Sequence, residues 1–270
     1  MPTARLTDVP ADVRSALTET TGRVLRMEPV SSGFNSEIAA RVHTESGTFF
    51  VKGLRTDHPR VWTQQREAEI NPHVSGIAPR LLWRLKAAGW DLLGFEAVDG
   101  HHADYSPSSP DVPLVASALR HLGELPCPEL PLKTMPGRMA DYCDAPELFA
   151  GDRLLHTDWN HTNALVLDGR TVLVDWAWAS RGAGWIDPAL WLLWLIAAGH
   201  TAGQAECWAA TLPAWETAPR EAVDAFATAS ACLWQDIAEA DPGPWTRRME
   251  AAAATWARHR RRTRAQLERG

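Results

Sequence analysis

Over the first hundred residues apolar and polar positions alternate in short runs, the period of half-buried strands. Residues 24–30, 37–43 and 48–52 read as strands, the last two joined by a turn at Glu45, Ser46 and Gly47. A helix is expected over 60–70, with Pro59 where a first-turn proline is tolerated and Pro72 ending it. Residues 79–85 and 92–96 read as two more strands, which gives the order β, β, β, α, β, β. From residue 114 the pattern turns helical, and helices are expected over 114–125, 137–150, 187–199, 202–212, 219–240 and 244–267. One hairpin interrupts them, where 164–167 and 171–174 flank the two-residue turn signal Asp168-Gly169. A small β-rich part, residues 1–95, therefore precedes a mostly helical one, residues 102–270. In the join, residues 96–101, Asp99-Gly100 breaks regular structure.

The composition, 45% hydrophobic and 22% charged over 270 residues, is that of a soluble globular protein and excludes a mainly disordered one. Its net charge of −6 is spread unevenly: +1 over residues 1–98, −6 over 99–158, −7 over 159–244 and +6 over 245–270. An acidic middle argues against a nucleic-acid partner and favours a cationic ligand. The basic run Arg258 to Arg264 reads as a solvated helix end, where cations suit the macrodipole. Cys127, Cys143, Cys207 and Cys232 form no CxxC pair and no zinc spacing, so a reduced, cytoplasmic chain is expected. The longest apolar stretch, 189–198, falls well short of the ~20 residues that cross a bilayer, and no membrane partner is expected. Most of the 14 tryptophans read as core, and one or two near a cleft would suit stacking on a sugar or a cation. Oligomeric state is not legible.

The chemistry concentrates in LLHTDWNHTNALV, residues 154–166, and the LVDWAWASRGAGWIDPALW that follows the hairpin. Asp158, Asn163 and Asp175 recur there. These are the residue types a magnesium-dependent phosphoryl transfer needs. The protein does little covalent work in that reaction: a carboxylate orients the attacking hydroxyl, and hard oxygen ligands hold the metal that neutralises phosphate charge.

The pattern H-x-D-x-x-x-x-N, present as His156, Asp158 and Asn163, followed by an apolar strand ending in Asp175 and then by D-P-A at Asp187, resembles the aminoglycoside phosphotransferase and choline kinase family. That resemblance implies an α+β, two-lobed protein-kinase-like fold, with a small antiparallel sheet and one helix in the N-terminal lobe and a larger, mainly helical C-terminal lobe. It implies that residues 1–95 bind nucleotide, that 96–101 form a hinge, and that 102–270 carry the catalytic loop and the acceptor site. Asp158 then resembles the catalytic base, Asn163 and Asp175 the Mg²⁺ ligands, His156 a brace of the catalytic loop, and Asp187 a buried acid that holds the loop from below.

Lys52 ends the apolar strand at residues 48–51 in a chain with only three lysines among 27 basic residues. A lysine there serves as a compact point charge for phosphate oxygens. The resemblance makes Glu67 its ion-pair partner in preference to Glu69, which falls on another side of the helix. Ser31, Ser32, Gly33, Phe34 and Asn35 occupy the turn between the first two strands, where kinases fold a loop over the ATP phosphates, and Glu96, Ala97 and Val98 resemble the hinge that hydrogen-bonds adenine. ATP is the expected co-substrate, with GTP as the alternative nucleotide and Mg²⁺ as the cofactor.

The chain departs from protein kinases in Asn160, where Ser/Thr kinases have lysine, and in the eleven residues between Asp175 and Asp187, which leave no activation segment. It departs from the small-molecule family in Thr157, which replaces a common glycine, and in Trp191, where a second acid is frequent. The expected activity is ATP- and Mg²⁺-dependent phosphorylation of a hydroxyl on a small molecule, with an aminoglycoside-like or other cationic natural product first and antibiotic resistance as the implied role. A different metabolite or biosynthetic intermediate as acceptor, and a catalytically silent nucleotide-binding module, stay open.

Overall fold

In the computed structural model, residues 10–30 and 36–267 are described. The chain divides into two units, Met1–His101 with Val172–Trp178, and His102–Thr171 with Ala179–Gly270. The segment Val172–Trp178, which the sequence pattern leaves among the helical residues, thus groups with the first unit.

In the first unit helix α1 (Ala11–Thr21) precedes the strands. It buries Val13, Leu17 and Thr21 at four-residue spacing. The sheet has five strands, β1 (Val24–Pro29), β2 (Ile38–Thr44), β3 (Gly47–Arg55), β4 (Leu81–Ala87) and β5 (Trp90–Glu96), in the order β1-β2-β3-β5-β4. Every neighbouring pair is antiparallel. The last two strands meet at Ala88-Gly89, whose φ angles of 50° and 78° suit a two-residue turn matched to strand twist. That tight turn keeps the ladder paired to Ala87 and Trp90, so β4 and β5 reach further toward each other than the expected 79–85 and 92–96. Helix α2 (Trp62–Ile70) buries Thr63, Gln64, Glu67 and Ile70. One core cluster joins Val13 and Leu17 of α1 to Ile38, Ala40, Val42, Val51, Trp90 and Leu92 of the sheet.

In the second unit the two-residue β6 (His101–His102) leads to α3 (Asp111–Glu124). The helix expected over 137–150 is instead β7 (Lys133–Thr134), the five-residue α4 (Met135–Met139), an irregular turn, and a 3₁₀ turn at Pro146–Phe149. Pro146 supplies no N–H and keeps Ala145 out of the helical region, at φ −127° and ψ 62°. Next come β8 (Arg153–Leu155), the hairpin of β9 (Ala164–Leu167) and β10 (Arg170–Leu173), and β11 (Ser180–Gly182). Strands β7, β11 and β8 form a small sheet in that order, β11 parallel to β7 and antiparallel to β8.

Helices α5 (Ile186–Ala197), α6 (Ala202–Ala209), α7 (Pro213–Glu216), α8 (Arg220–Ala240) and α9 (Pro244–Leu267) complete the unit. Phe149, Trp185, Phe226 and Trp256 meet edge to face at ring separations of 5.2 to 6.5 Å. Beside them Glu206 of α6 accepts the Trp256 indole N–H at 2.7 Å. Arg260 of α9 reaches Asp224 of α8 at 2.6 Å and Glu206 at 3.3 Å. The C-terminal basic run is therefore not uniformly solvated: Arg261, Arg262 and Arg264 are exposed, whereas Arg260 ties three helices together.

Gly94 of β5 lies under the Trp83 indole of β4, where a Cβ would come within 2.1 Å of the ring. The substitution Gly94→Ala is expected to destabilise the chain by about 1–3 kcal/mol, as overpacking against a ring does. Urea denaturation followed by tryptophan fluorescence would show the lower midpoint.

Candidate functional site

Strand β3 carries Lys52 into the first unit's interior, where it is only 8% exposed. A buried ammonium requires opposite charge, and two carboxylates supply it: Glu67 of α2 at 2.6 Å and Asp175 at 3.1 Å. Glu67 is 3% exposed and also accepts the backbone N–H of Trp176. Glu69 lies on another side of α2, where Gln65 donates to it at 2.8 Å. Burial by itself lowers the pKa of Lys52, but Asp175 and Glu67 together more than offset this and raise it, so the ammonium stays charged. Burial pushes the Glu67 carboxyl up, against the pull of Lys52.

Asp175 holds φ at 63°, in the left-handed region. The following 3₁₀ turn, Trp176–Trp178, is pinned by the Trp176 indole N–H donating to Leu173 O at 3.0 Å and by the edge-to-face pair Trp62 and Trp178 at 5.4 Å.

In the second unit the loop after β8 carries His156, Asp158 and Asn163. Asp187, in the first turn of α5 and 2% exposed, holds this loop with both oxygens. Oδ2 accepts from His156 N at 2.7 Å, and Oδ1 accepts from Thr157 N at 2.9 Å and from the Trp159 indole at 2.8 Å. Burial raises the pKa of Asp187, and the Trp159, His156 and Thr157 contacts act the other way. The imidazole of His156 accepts the Asp158 N–H on Nδ1 at 3.2 Å, a bond within the loop. Asn160 caps the 3₁₀ turn His161–Asn163 by accepting from Thr162 N, and Asn163 Nδ2 donates to Asp158 O at 3.2 Å. Asp158 and the side-chain amide of Asn163, the third residue of that turn, are thus joined by a hydrogen bond. Tyr105, buried against the rings of His161 and Trp191, has a hydroxyl without a hydrogen-bond partner. Burial and the Asp158 charge raise its pKa.

At the join, Glu96 ends β5 and pairs with Arg80 at 2.7 Å, Ala97 is half-buried, and the Val98 carbonyl accepts from Arg41 at 2.8 Å. Ser31, Ser32, Gly33, Phe34 and Asn35 lie outside the described residues. Three residues that sequence spacing does not single out also bear on the loop. Arg138 of α4 donates to Thr157 Oγ1 at 2.6 Å and to Ser180 Oγ at 3.0 Å, and Trp159 bonds Asp187 as above. Arg138 stands in M-P-G-R-M with no periodic relation to Asp158, so no motif signals it; only the pairing of β7 with β11 brings it there.

Asp175 in the first unit and Asn163 in the second each offer a hard oxygen of the kind Mg²⁺ takes, an ion that proteins hold through one or two carboxylates while phosphates and water supply the rest. Among the described residues no group of three or more His, Cys, Asp or Glu is placed to hold a metal by itself.

The fold these elements define is α+β and protein-kinase-like, an antiparallel five-stranded sheet in one unit with two helices, α1 and α2, rather than the one expected, and a mainly helical second unit. Among solved structures it is similar to a thermostable mutant of aminoglycoside phosphotransferase APH(4)-Ia, at 15% identity over 90% of this chain and 99% of that one, with a TM-score of 0.62. It is also similar to choline kinase LicA from Streptococcus pneumoniae, at 13% identity over 92% and 98% of the two chains, TM-score 0.64. A putative fructosamine-3-kinase from Haemophilus somnus 129PT shares 13% identity over 90% and 96%, TM-score 0.55. At such identities the likeness is one of fold. No protein-family model and no curated protein sequence matches the chain.

All three partners of Asp187 are donors, so the raised pKa does not make asparagine equivalent to it: an amide NH₂ would face an N–H. The substitution Asp187→Asn is expected to cost about 1–3 kcal/mol, the penalty of an unsatisfied buried group. Hydrogen exchange would show faster loss of protection at the amides of His156 and Thr157.

Proposed function

We propose that this chain is an ATP- and Mg²⁺-dependent small-molecule O-phosphotransferase of the cytoplasm. The observation that carries the reading is the buried Lys52 held by Glu67 and Asp175, in a fold shared with aminoglycoside, choline and fructosamine kinases. A buried lysine with two acidic partners is a costly arrangement for stability alone. Its chemistry suits phosphate oxygens, which would take the place of one carboxylate partner. The neighbours APH(4)-Ia and LicA are described in complexes with AMP-PNP and hygromycin B, and with AMP.

In this reading Lys52, kept charged by Glu67, binds phosphate oxygens of ATP. Asp158 accepts the hydrogen bond of the acceptor hydroxyl and takes its proton as the new O–P bond forms. The bond from the γ-phosphorus to the β,γ-bridging oxygen breaks, and ADP leaves. Asn163 and Asp175 would hold Mg²⁺, which neutralises charge on the phosphate oxygens when bound. Asp187 and His156 keep the loop in the geometry this requires, touching neither substrate. Ser31 to Asn35 and the backbone of Glu96 to Val98 are assigned to phosphates and adenine. The acceptor class that ranks first is a cationic, hydroxylated natural product of the aminoglycoside type. The charge of −13 over residues 99–244 supports it, as does the hygromycin B complex of APH(4)-Ia.

The substitution Asp158→Asn is expected to lower transfer by about 10²- to 10⁴-fold, the span of a general base, while Mg·ATP binding is unchanged. Mass spectrometry of wild type and variant with aminoglycosides, cationic peptide antibiotics, choline-like amines, nucleosides and neutral polyols reads the transfer. Transfer at the wild-type rate in the variant would overturn the assignment of the base. A second substitution, Asp175→Ala, is expected to weaken ATP binding in calorimetry with Mg²⁺ present and to leave it unchanged without the metal.

A further inference from the structure

The residue before the proposed base has an unusual backbone. Thr157 holds φ at 67°, a left-handed conformation that costs a β-branched residue more than any other. Two of its polar groups are fixed in different directions. The backbone N–H goes to Asp187 Oδ1 at 2.9 Å, and the side-chain hydroxyl accepts from Arg138 Nη1 at 2.6 Å. Glycine would take this φ without strain, but it has no hydroxyl for Arg138.

The three members of the second contact lie in or just after three strands of one small sheet. Arg138 follows β7 by way of α4, whose start is capped by Thr134 Oγ1 accepting from Gly137 N. Thr157 follows β8 by two residues. Ser180 begins β11, paired with Lys133 on one side and Leu155 on the other, and is fully buried. Arg138 donates to Ser180 Oγ at 3.0 Å as well as to Thr157, so the guanidinium is aimed by a rigid strand before it meets the loop. Its neighbouring charges are both carboxylates of the loop assembly, Asp158 and Asp187; burial lowers its pKa and these two act the other way. One guanidinium nitrogen, Nη1, donates to both hydroxyls, which leaves the other N–H groups of the permanently charged guanidinium for the anions beside it.

We propose that Arg138 is a positioning residue for the phosphotransfer, setting the orientation of Asp158 through the hydroxyl of Thr157 and balancing the charge of Asp158 and Asp187 in the second unit. This rests on the phosphotransferase reading for its effect on turnover, whereas the tie itself does not.

The informative variant is Thr157→Val, which keeps the shape, the β-branch and the strained φ and removes only the hydroxyl. It is expected to lower kcat about 10- to 100-fold, the scale of a small misplacement of a reacting group, with KM for ATP unchanged. Thr157→Ser, which retains the hydroxyl, is expected to keep wild-type kcat. Arg138→Met should lose at least as much as Thr157→Val, since it also removes the Ser180 bond and the charge beside Asp158 and Asp187, and the double variant should be no slower than Arg138→Met alone. Wild-type kcat in Thr157→Val, or additive losses in the double variant, would overturn the proposal. Turnover is read as transfer to an acceptor or as hydrolysis of Mg·ATP by water. If the wild-type protein does neither, the phosphotransferase reading fails. Amide exchange at residues 157 and 158 in the same proteins then decides the tie: faster exchange in Thr157→Val and Arg138→Met sustains it, and unchanged exchange overturns it. Should Arg138→Met not fold, the comparison of valine with serine at 157 still stands.

Discussion

A lysine ammonium inside a protein sets conditions on everything near it. Lys52 is brought into the first unit by the register of β3, and at 8% exposure it has too little water to stay charged unaided. Glu67 must therefore come from α2, and Asp175 from a segment more than a hundred residues further on. Two features follow. Helix α2 turns a face containing a carboxylate inward, which an ordinary amphipathic helix avoids. The segment Val172–Trp178 packs with the first unit although the residues before and after it belong to the second. The same charge that demands these partners is what a polyphosphate would recognise.

The proposed catalytic loop is solved differently. There the organising group is an anion, Asp187, and its partners are backbone and indole N–H groups within four residues of one another. Thr157 and Asp175, the two residues at φ above 60° that flank or form the proposed chemistry, show that backbone strain sits where geometry is over-determined by hydrogen bonds and ion pairs. Ala88 and Asp168 take positive φ in tight hairpin turns, whereas Thr157 and Asp175 each have a carboxylate or a cation holding them in place.

Much of this is legible in the sequence, for reasons that differ by element. The five long strands and α2 appear because alternation and proline punctuation are local signals, and Glu67 can be preferred to Glu69 because helix geometry separates their faces. Helix α1 escapes a reading of pattern, since only Val13 and Leu17 mark its inner face. Strands β7, β8 and β11 span two or three residues each, too short for any period to register. The segment 137–150 carries helix-forming residues, yet Pro146 and the docking of α4 beside β11 break it into two short turns. Arg138 is illegible for a deeper reason. Its relation to Thr157 exists only through strand pairing between residues far apart in the chain, and single-sequence spacing contains no trace of such pairing.

The discontinuity of the first unit also bears on how the chain is made. Residues 1–101 precede Asp175 in order of synthesis, so a sheet formed from them alone would hold Lys52 against Glu67 only, until roughly seventy more residues are added. During that interval the interior of the sheet contains one cation and one anion rather than the final one and two. The first unit reaches its finished charge state only when the β9–β10 hairpin has formed and delivered Val172–Trp178. An excised N-terminal fragment would carry the same deficit permanently, so a cut at residue 101 does not release the first unit whole but leaves its sheet without the third charge.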